Sequence, residues 1–394
     1  MFLPQVIFLL LYSAIIAVGQ NNYDYEAEVG MNTPQIFSHR KIAYKTYQVT
    51  TQDGYILSLF QLPRKERRGV VVLQHSLSLD SSVFLVSQKR SIAMEIYNSG
   101  YEVWLPNFRG LPLSDQHIKP DIEKLTYWDF SFHEIGLYDF PAILKLIVNV
   151  TGEKVIVINH SLSSTASLVY AAVKPQEAEA MVKVFVNMAA SAFMNHTQTP
   201  FRHFIGLQFN VLKPIMESLN IGAVGYDFLA SLQLLKQLAL QMLPRRAFKS
   251  FIESFLGFLF GKTSMGIDDE EFPLVVSVAV QTVSNKITYH YCQLMQSGRF
   301  CMYDYGQQEN LKRYNSSQPP DYPLMNITTP IFLVISDSDT MSDAWGSNLL
   351  YNNLPQAAKI YGKLNIKNVN HADYLIGKDR FVYFKRVLNF IKTI

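Results

Sequence analysis

Apolar residues along this chain recur in short blocks of the kind a parallel sheet buries. Val70–Leu73, Glu102–Leu105, Lys154–Ile158, Val182–Val186 and Ile331–Ile335 are β-branched or apolar runs bounded by turn residues or charges. Strands buried on both faces read this way. Between them the period lengthens to that of a helix, over Ser87–Asn98, Glu134–Val148, Ser163–Val173 and Trp345–Leu354. Alternating strands and helices predict an α/β domain whose mostly parallel sheet is covered on both faces.

From about Ala190 to Tyr305 the alternation stops. This stretch is helical and apolar, with Tyr226–Leu243 and Phe248–Phe260 as its clearest helices. The rhythm resumes at Thr329-Pro330 and ends in a helix over Arg380–Lys392. Helix after helix cannot extend a parallel sheet, so we expect a core over residues 20–189 and 311–394, with an inserted helical cap over 190–310. Within the cap, Phe251, Phe255, Phe258 and Leu259 join Ile252 and Leu256 in one broad apolar stripe. Phe228, Leu232, Leu235, Leu238 and Met242 recur at the same helical spacing. Such stripes serve either as packing on the core or as a lid whose apolar face meets lipid.

The first twenty residues, MFLPQVIFLLLYSAIIAVGQ, carry no charge and place small residues at Ala17 and Gly19. Residues 1–19 are therefore expected to be a signal peptide cleaved after Gly19, the alternative being a retained signal anchor. No later stretch approaches ~18 apolar residues without a charge or breaker, so no transmembrane anchor is expected in the mature chain. Entry to the secretory route implies an extracellular protein, or a lysosomal one. It also makes Asn149, Asn195, Asn315 and Asn326, each in an Asn-x-Ser/Thr sequon, candidates for glycosylation. Cys292 and Cys301, the two cysteines, could form a local disulfide or stay as buried thiols.

Composition narrows the function. Of 394 residues, 48% are hydrophobic, 13% aromatic and only 17% charged, which excludes a disordered chain. Thirty-five basic residues against 32 acidic ones give a net charge of +3 with no concentrated basic run, so no nucleic-acid partner is expected. The histidines are scattered, and His133-Glu134 lacks a second histidine at zinc-protease spacing. Gly257–Thr263 is one residue short of a phosphate loop and follows no strand. No metal or other cofactor is expected. Nothing in the chain specifies an oligomeric state.

The chemistry gathers at three loops. Lys154-Val-Ile-Val-Ile-Asn159-His160-Ser161-Leu162-Ser163 runs from a buried strand into a polar turn and a small-residue helix. That is the setting of a nucleophile elbow, although Asn159 and Ser163 stand where the usual motif has glycine. Strand Ile331–Ile335 ends in Ser336-Asp337-Ser338-Asp339, and His371 lies in a loop before the last helix. The order Ser161, Asp339, His371 is that of α/β hydrolases. A serine needs a base to take its proton, and the base needs a carboxylate to fix its tautomer. Asp337 and Asp343 read as solvated loop acids, and His75 and His160 as groups that position loops.

Motifs through nearly the whole mature chain resemble the acid lipases, the family of gastric, lysosomal and many secreted insect lipases. They include Thr51-Gln-Asp-Gly-Tyr-Ile, Gln74-His75-Ser76-Leu77, Asn107-Phe-Arg109-Gly110, Trp128-Asp-Phe-Ser-Phe-His-Glu134, Ser297-Gly-Arg-Phe and Pro319-Pro-Asp-Tyr322. The resemblance implies an α/β-hydrolase fold with an inserted helical lid. It implies Ser161 as nucleophile, Asp339 as orienting acid, His371 as base, and the main-chain N–H groups of Leu77 and Leu162 as the oxyanion hole. A secreted carboxylic ester hydrolase of neutral lipids, such as triacylglycerol or sterol esters, follows from it. Its partners would be the lipid ester and the lipid–water interface. The alternative is a catalytically impaired relative that binds or carries lipid. Against the family pattern, this chain has Asn159, Ser163 and Ser76 at glycine positions, Ser336-Asp337 for Gly-Gly, and Leu162 for Gln. Overpacking at such points typically costs about 1–3 kcal/mol, and an oxyanion donor moved out of line about 2.7–4 kcal/mol.

Overall fold

The computed structural model describes residues 26–87, 90–204, 211–224, 229–262 and 266–394. The expected leader, residues 1–19, lies outside them. The strands are β1 (Lys45–Thr50), β2 (Tyr55–Leu62), β3 (Val70–Gln74), β4 (Glu102–Pro106), β5 (Gln116–His117), β6 (Val155–His160), β7 (Val182–Met188), β8 (Ala223–Val224), β9 (Val283–Ser284), β10 (Ile331–Ser336) and β11 (Lys363–Ile366). The main sheet runs β1-β2-β4-β3-β6-β7-β10-β11, with β5 beside β2. Its β1–β2, β2–β4 and β2–β5 pairs are antiparallel. From β4 onward it is parallel.

The alternation of side chains along each strand feeds two cores. Val70, Val72, Val155, Val157, Ile331 and Leu333 face helices α2 (Phe140–Thr151) and α3 (Leu162–Val173). Val71, Leu73, Ile156, Ile158 and Val334 face the opposite layer, helices α1 (Ile92–Asn98) and α9 (Arg380–Ile391). Burying each such side chain contributes about 1.5–3 kcal/mol, and both faces are covered because the strands carry no polar face. Helix α1 starts later than the periodicity over Ser87–Asn98 predicts, with Ser91 at its N-cap.

Between β7 and β10 the chain is mainly helical. Helices α4 (Leu229–Met242), α5 (Arg245–Phe260), α6 (Phe272–Val278) and α7 (Asn285–Ser297) precede α8 (Ala344–Asn353), which follows β10. These helices do not sit apart from the core. Phe272, Leu274 and Val275 enter one apolar cluster and Ile287, Tyr291 and Leu294 the other. Helix α5 is apolar on two faces. Phe248, Ile252 and Leu256 pack inward, while Phe251, Phe255 and Phe258 point outward at 65%, 49% and 61% exposure. On α4, Leu234 and Leu235 are likewise exposed. Phe228 and the side chain of Leu232 lie outside the described residues.

Several motif residues act as struts beneath the site. Arg109, buried, forms ion pairs with Asp53 and Asp139, both at 2.6 Å, and lies 4.0 Å from the Tyr55 ring. Ser131 and Glu134 form a capping box. Glu134 also pairs with Lys286 at 3.3 Å, and His290 meets Ser131 Oγ at 3.0 Å, so α7 is tied to the core. Cys292 and Cys301 are free, buried thiols, and the disulfide alternative is not adopted. Cys292 lies within α7, and Cys301 sits in a β-bridge with Asp321. Burial pushes the Cys292 thiol up to about 11, which keeps it protonated and unreactive. Asn149, Asn315 and Asn326 are exposed. Asn195 is half-buried, and the Thr197 hydroxyl of its sequon lies within hydrogen-bond reach of the Thr340 and Met341 carbonyls.

Candidate active site

Ser161 occupies the single turn between β6 and α3, with φ 55 and ψ −110. A non-glycine residue at positive φ stores about 1–3 kcal/mol of strain and persists only where its surroundings over-determine it. Here the Ser161 N–H donates to the Met188 carbonyl at 3.0 Å, and the Thr165 N–H returns to the Ser161 carbonyl at 3.0 Å. The turn lifts the hydroxyl to the C-terminal edge of the sheet, where α/β folds build their sites.

Two loops at the same edge bring their side chains to it. His371 Nε2 lies 2.7 Å from Ser161 Oγ, and His371 Nδ1 lies 2.8 Å from Asp339 Oδ2. A carboxylate only accepts, so the imidazole carries its proton on Nδ1 and offers the Nε2 lone pair to the serine hydroxyl. Asp339 is buried and cannot rotate freely, because its Oδ1 accepts from the Met341 and Ser342 N–H groups, each at 2.9 Å. Asn370 shapes the histidine loop. Its Oδ1 accepts from the Ala372 and Asp373 N–H groups, while Asp373 Oδ2 accepts from the Asn370 N–H, each at 2.9 Å.

Leu77 and Leu162 line one small pocket with Phe108, Trp128, Phe130 and Ile287. Among the described residues neither leucine N–H has an acceptor in the protein. His75 holds the first of these segments. The Phe108 N–H donates to His75 Nε2 at 3.1 Å, so Nδ1–H donates to the Ser76 carbonyl at 2.9 Å. Burial pushes His75 down to about 4, and the ring stays neutral and fixed in one tautomer. His160 donates from Nε2 to the His371 carbonyl at 3.0 Å. Burial and the neighbouring His371 hold it well below the usual histidine range. Asp337 is exposed, as expected. Asp343 is not solvated: it is buried and caps α8, accepting from the Gly346 N–H at 2.6 Å.

Of the side chains at the glycine positions, those of Asn159, Ser163, Ser336 and Asp337 find partners, though Asn159 Oδ1 has none among the described residues. Asn159, fully buried, donates from Nδ2 to Asn187 Oδ1 across β6 and β7 at 2.9 Å. Ser336 Oγ donates to the Val369 carbonyl at 2.5 Å, and Asp337 Oδ1 accepts from the Asn368 N–H at 3.0 Å. Both tie the Asp339 loop to the His371 loop. The sequence reading missed Phe260 and Gly261 at the end of α5. The His371 and Thr340 N–H groups donate to the Phe260 carbonyl at 3.4 and 3.2 Å, and Asn370 Nδ2 donates to the Gly261 carbonyl at 3.0 Å. The only signal for this in the sequence was Gly261 itself, at the end of an apolar helical run.

Comparison with known proteins agrees with this architecture. Residues 33–88 match the family model described as partial alpha/beta-hydrolase lipase region. The chain is 28% identical to human lipase member K over 96% of its length and 94% of the relative's. It is 29% identical to lipase 1 of Drosophila melanogaster over 87% and 76%, and 28% identical to human gastric triacylglycerol lipase over 89% and 88%. Among solved structures, a candidate lipase from Sulfolobus solfataricus aligns with TM-score 0.56 at 13% identity, over 88% of this chain and 94% of that one. Another from Acinetobacter baumannii gives 0.51 at 14%, over 96% and 100%. The structural matches speak for the fold. Similarity to lipases over most of the chain, set on a sheet of this order, supports placing it with the acid lipase family of α/β hydrolases.

Proposed function

We propose that this protein is a secreted carboxylic ester hydrolase acting on neutral lipid esters through an acyl-enzyme. The observation that carries the reading is the line of hydrogen bonds from Asp339 through His371 to Ser161, at 2.8 and 2.7 Å, on a serine held at positive φ. Ser161 Oγ attacks the ester carbonyl while His371 Nε2 takes its proton. His371 then gives that proton to the leaving alcohol oxygen as the C–O bond breaks. Water, deprotonated by the same nitrogen, releases the acid. Asp339 keeps the imidazole in the tautomer that can accept and stabilises its charged form. The Leu77 and Leu162 N–H groups, free of other acceptors, would hold the oxyanion.

The outward Phe251, Phe255 and Phe258 suit a lid that meets an apolar interface. Asn149, Asn315 and Asn326 are exposed sequons that glycosylation in the secretory route would use. Among the described residues no helix is long and apolar enough to cross a membrane. Turnover of a soluble short-chain ester and of emulsified triacylglycerol by the wild type, Ser161→Ala and His371→Ala tests the reading. Hydrolysis of both substrates, lost in each variant, supports it. A folded wild type that turns over neither, yet binds fatty acid, favours the lipid carrier instead.

A further inference from the structure

Ser163 is the second residue of α3 and is fully buried. Its hydroxyl does not serve its own helix. The His160 N–H donates to Oγ at 2.9 Å, and Oγ lies 2.9 Å from the Gln74 carbonyl and 3.1 Å from the His160 carbonyl. A hydroxyl has one proton and two lone pairs, so this oxygen accepts from β6 and donates to one carbonyl, the Gln74 oxygen of β3 being the nearer. A helix-capping serine bonds forward, to N–H groups of the turn it opens. Ser163 bonds backward and sideways, to the ends of two neighbouring strands.

What those ends carry gives the bond its meaning. The β3–β6 ladder closes with the pair Gln74 and Asn159. Beyond it the chains separate, one into the His75-Ser76-Leu77 loop and the other into the elbow at Ser161-Leu162. The two N–H groups proposed for the oxyanion hole therefore sit on different segments, past the last ladder pair. Ser163 Oγ spans the gap next to Leu162 and three residues before Leu77. His75 fixes the far side of the same loop through Ser76 and Phe108.

We infer that Ser163 is a positioning residue that sets the spacing of the two oxyanion donors by stapling the end of β3 to the elbow. This rests on the hydrolase reading above. Oxyanion donors act only when aimed at the place charge develops, and one displaced donor costs about 10²–10³ in rate. Loss of the staple should therefore appear in the chemical step and not in substrate binding.

The test compares wild type, Ser163→Ala and Ser163→Thr on a soluble short-chain ester, with thermal unfolding and the affinity for an alkyl boronic acid measured alongside. The inference expects Ser163→Ala to be folded, with kcat reduced about tenfold or more, KM within about twofold, and boronate affinity reduced in parallel with kcat. Ser163→Thr, which keeps the hydroxyl, should recover most of that loss. A folded Ser163→Ala with unchanged kcat and boronate affinity overturns it. So does a loss that Thr does not recover, or one confined to KM. If Ser163→Ala does not fold, Ser163→Thr decides, since a folded Thr variant without boronate affinity contradicts a positioning hydroxyl. A wild type with neither turnover nor boronate affinity would remove the hydrolase reading and this inference together, whereas an active wild type with an indifferent hydroxyl removes the inference alone.

Discussion

The main-chain N–H of His371 donates to the carbonyl of Phe260 at 3.4 Å, and the two rings lie 5.6 Å apart. The last turn of the helix that displays Phe251, Phe255 and Phe258 is thus bonded to His371, the proposed base. Thr340 binds the same carbonyl, and Asn370 binds the next one. The Asp339 and His371 loops share one anchor on α5.

Gly261 makes that anchor fit. It has φ 105, and a Cβ there would collide with the Ser338 carbonyl oxygen, one residue before Asp339. Only glycine adopts this angle without strain. We predict that Gly261→Ala lowers kcat at least tenfold, and stability by about 1–3 kcal/mol. Steady-state kinetics on a soluble ester and urea unfolding check this together.

The outward phenylalanines predict a split between substrates. Replacing Phe251, Phe255 and Phe258 together by Ser removes apolar surface that the fold leaves exposed, so melting should hardly change. Hydrolysis of a dissolved short-chain ester should stay within about twofold, while hydrolysis of emulsified triacylglycerol should fall tenfold or more. Equal losses on both substrates would mean the stripe supports the fold and not the interface.

Asn159 stands where a glycine is usual, but its amide is paired with Asn187 across the strand. Asn159→Gly removes that cross-strand bond, while Asn187 Oδ1 keeps the Ser167 hydroxyl as a donor at 3.1 Å, so the cost is that of one hydrogen bond, about 0.5–1.5 kcal/mol. We predict lower stability in denaturant and no large gain in ester turnover. A large gain would show that the native elbow is impaired.

Acid should destabilise the fold. Burial pushes His75 down to about 4, His290 to about 3, and His160 well below its ordinary range. About a unit above pH 6.5 these rings are neutral whether the chain is folded or not, and nothing is lost. As pH falls from 6.5 towards 4 the unfolded chain takes up protons that the folded one refuses, so stability drops and then levels. His75 alone accounts for about 3 kcal/mol once pH is below 4. Burial pushes Asp139 up to about 6 and raises Asp80 and Asp343 as well, which works in the opposite direction, while burial lowers His133 as it does the other three imidazoles. Denaturant unfolding at pH 7.5, 5.5 and 4.5 should show a steady decline.

Much of the fold was legible because parallel strands announce themselves as apolar runs. Val70–Leu73 and Lys154–Ile158 fall within or one residue from the observed strands. Ser161, Asp339 and His371 were readable as candidates from their order and from the strand ends they follow. The bonds between those loops were not readable. Ser336 reaches Val369, Asn159 reaches Asn187, and Phe260 reaches His371, each across a separation no local pattern encodes. The two faces of α5 were merged into one stripe, since a period of 3.6 with apolar residues all round does not say which side meets the core. A buried cap such as Asp343 and a solvated loop acid look alike in sequence.

Ser161 is proposed to be an activated nucleophile. The most direct measurement is mass-spectrometric mapping of the adduct formed with an alkyl fluorophosphonate at neutral pH. One stoichiometric adduct is expected, on Ser161, blocked in Ser161→Ala and slowed at least a hundredfold in His371→Ala. A folded wild-type protein that binds fatty acid yet carries no adduct at Ser161 would contradict it.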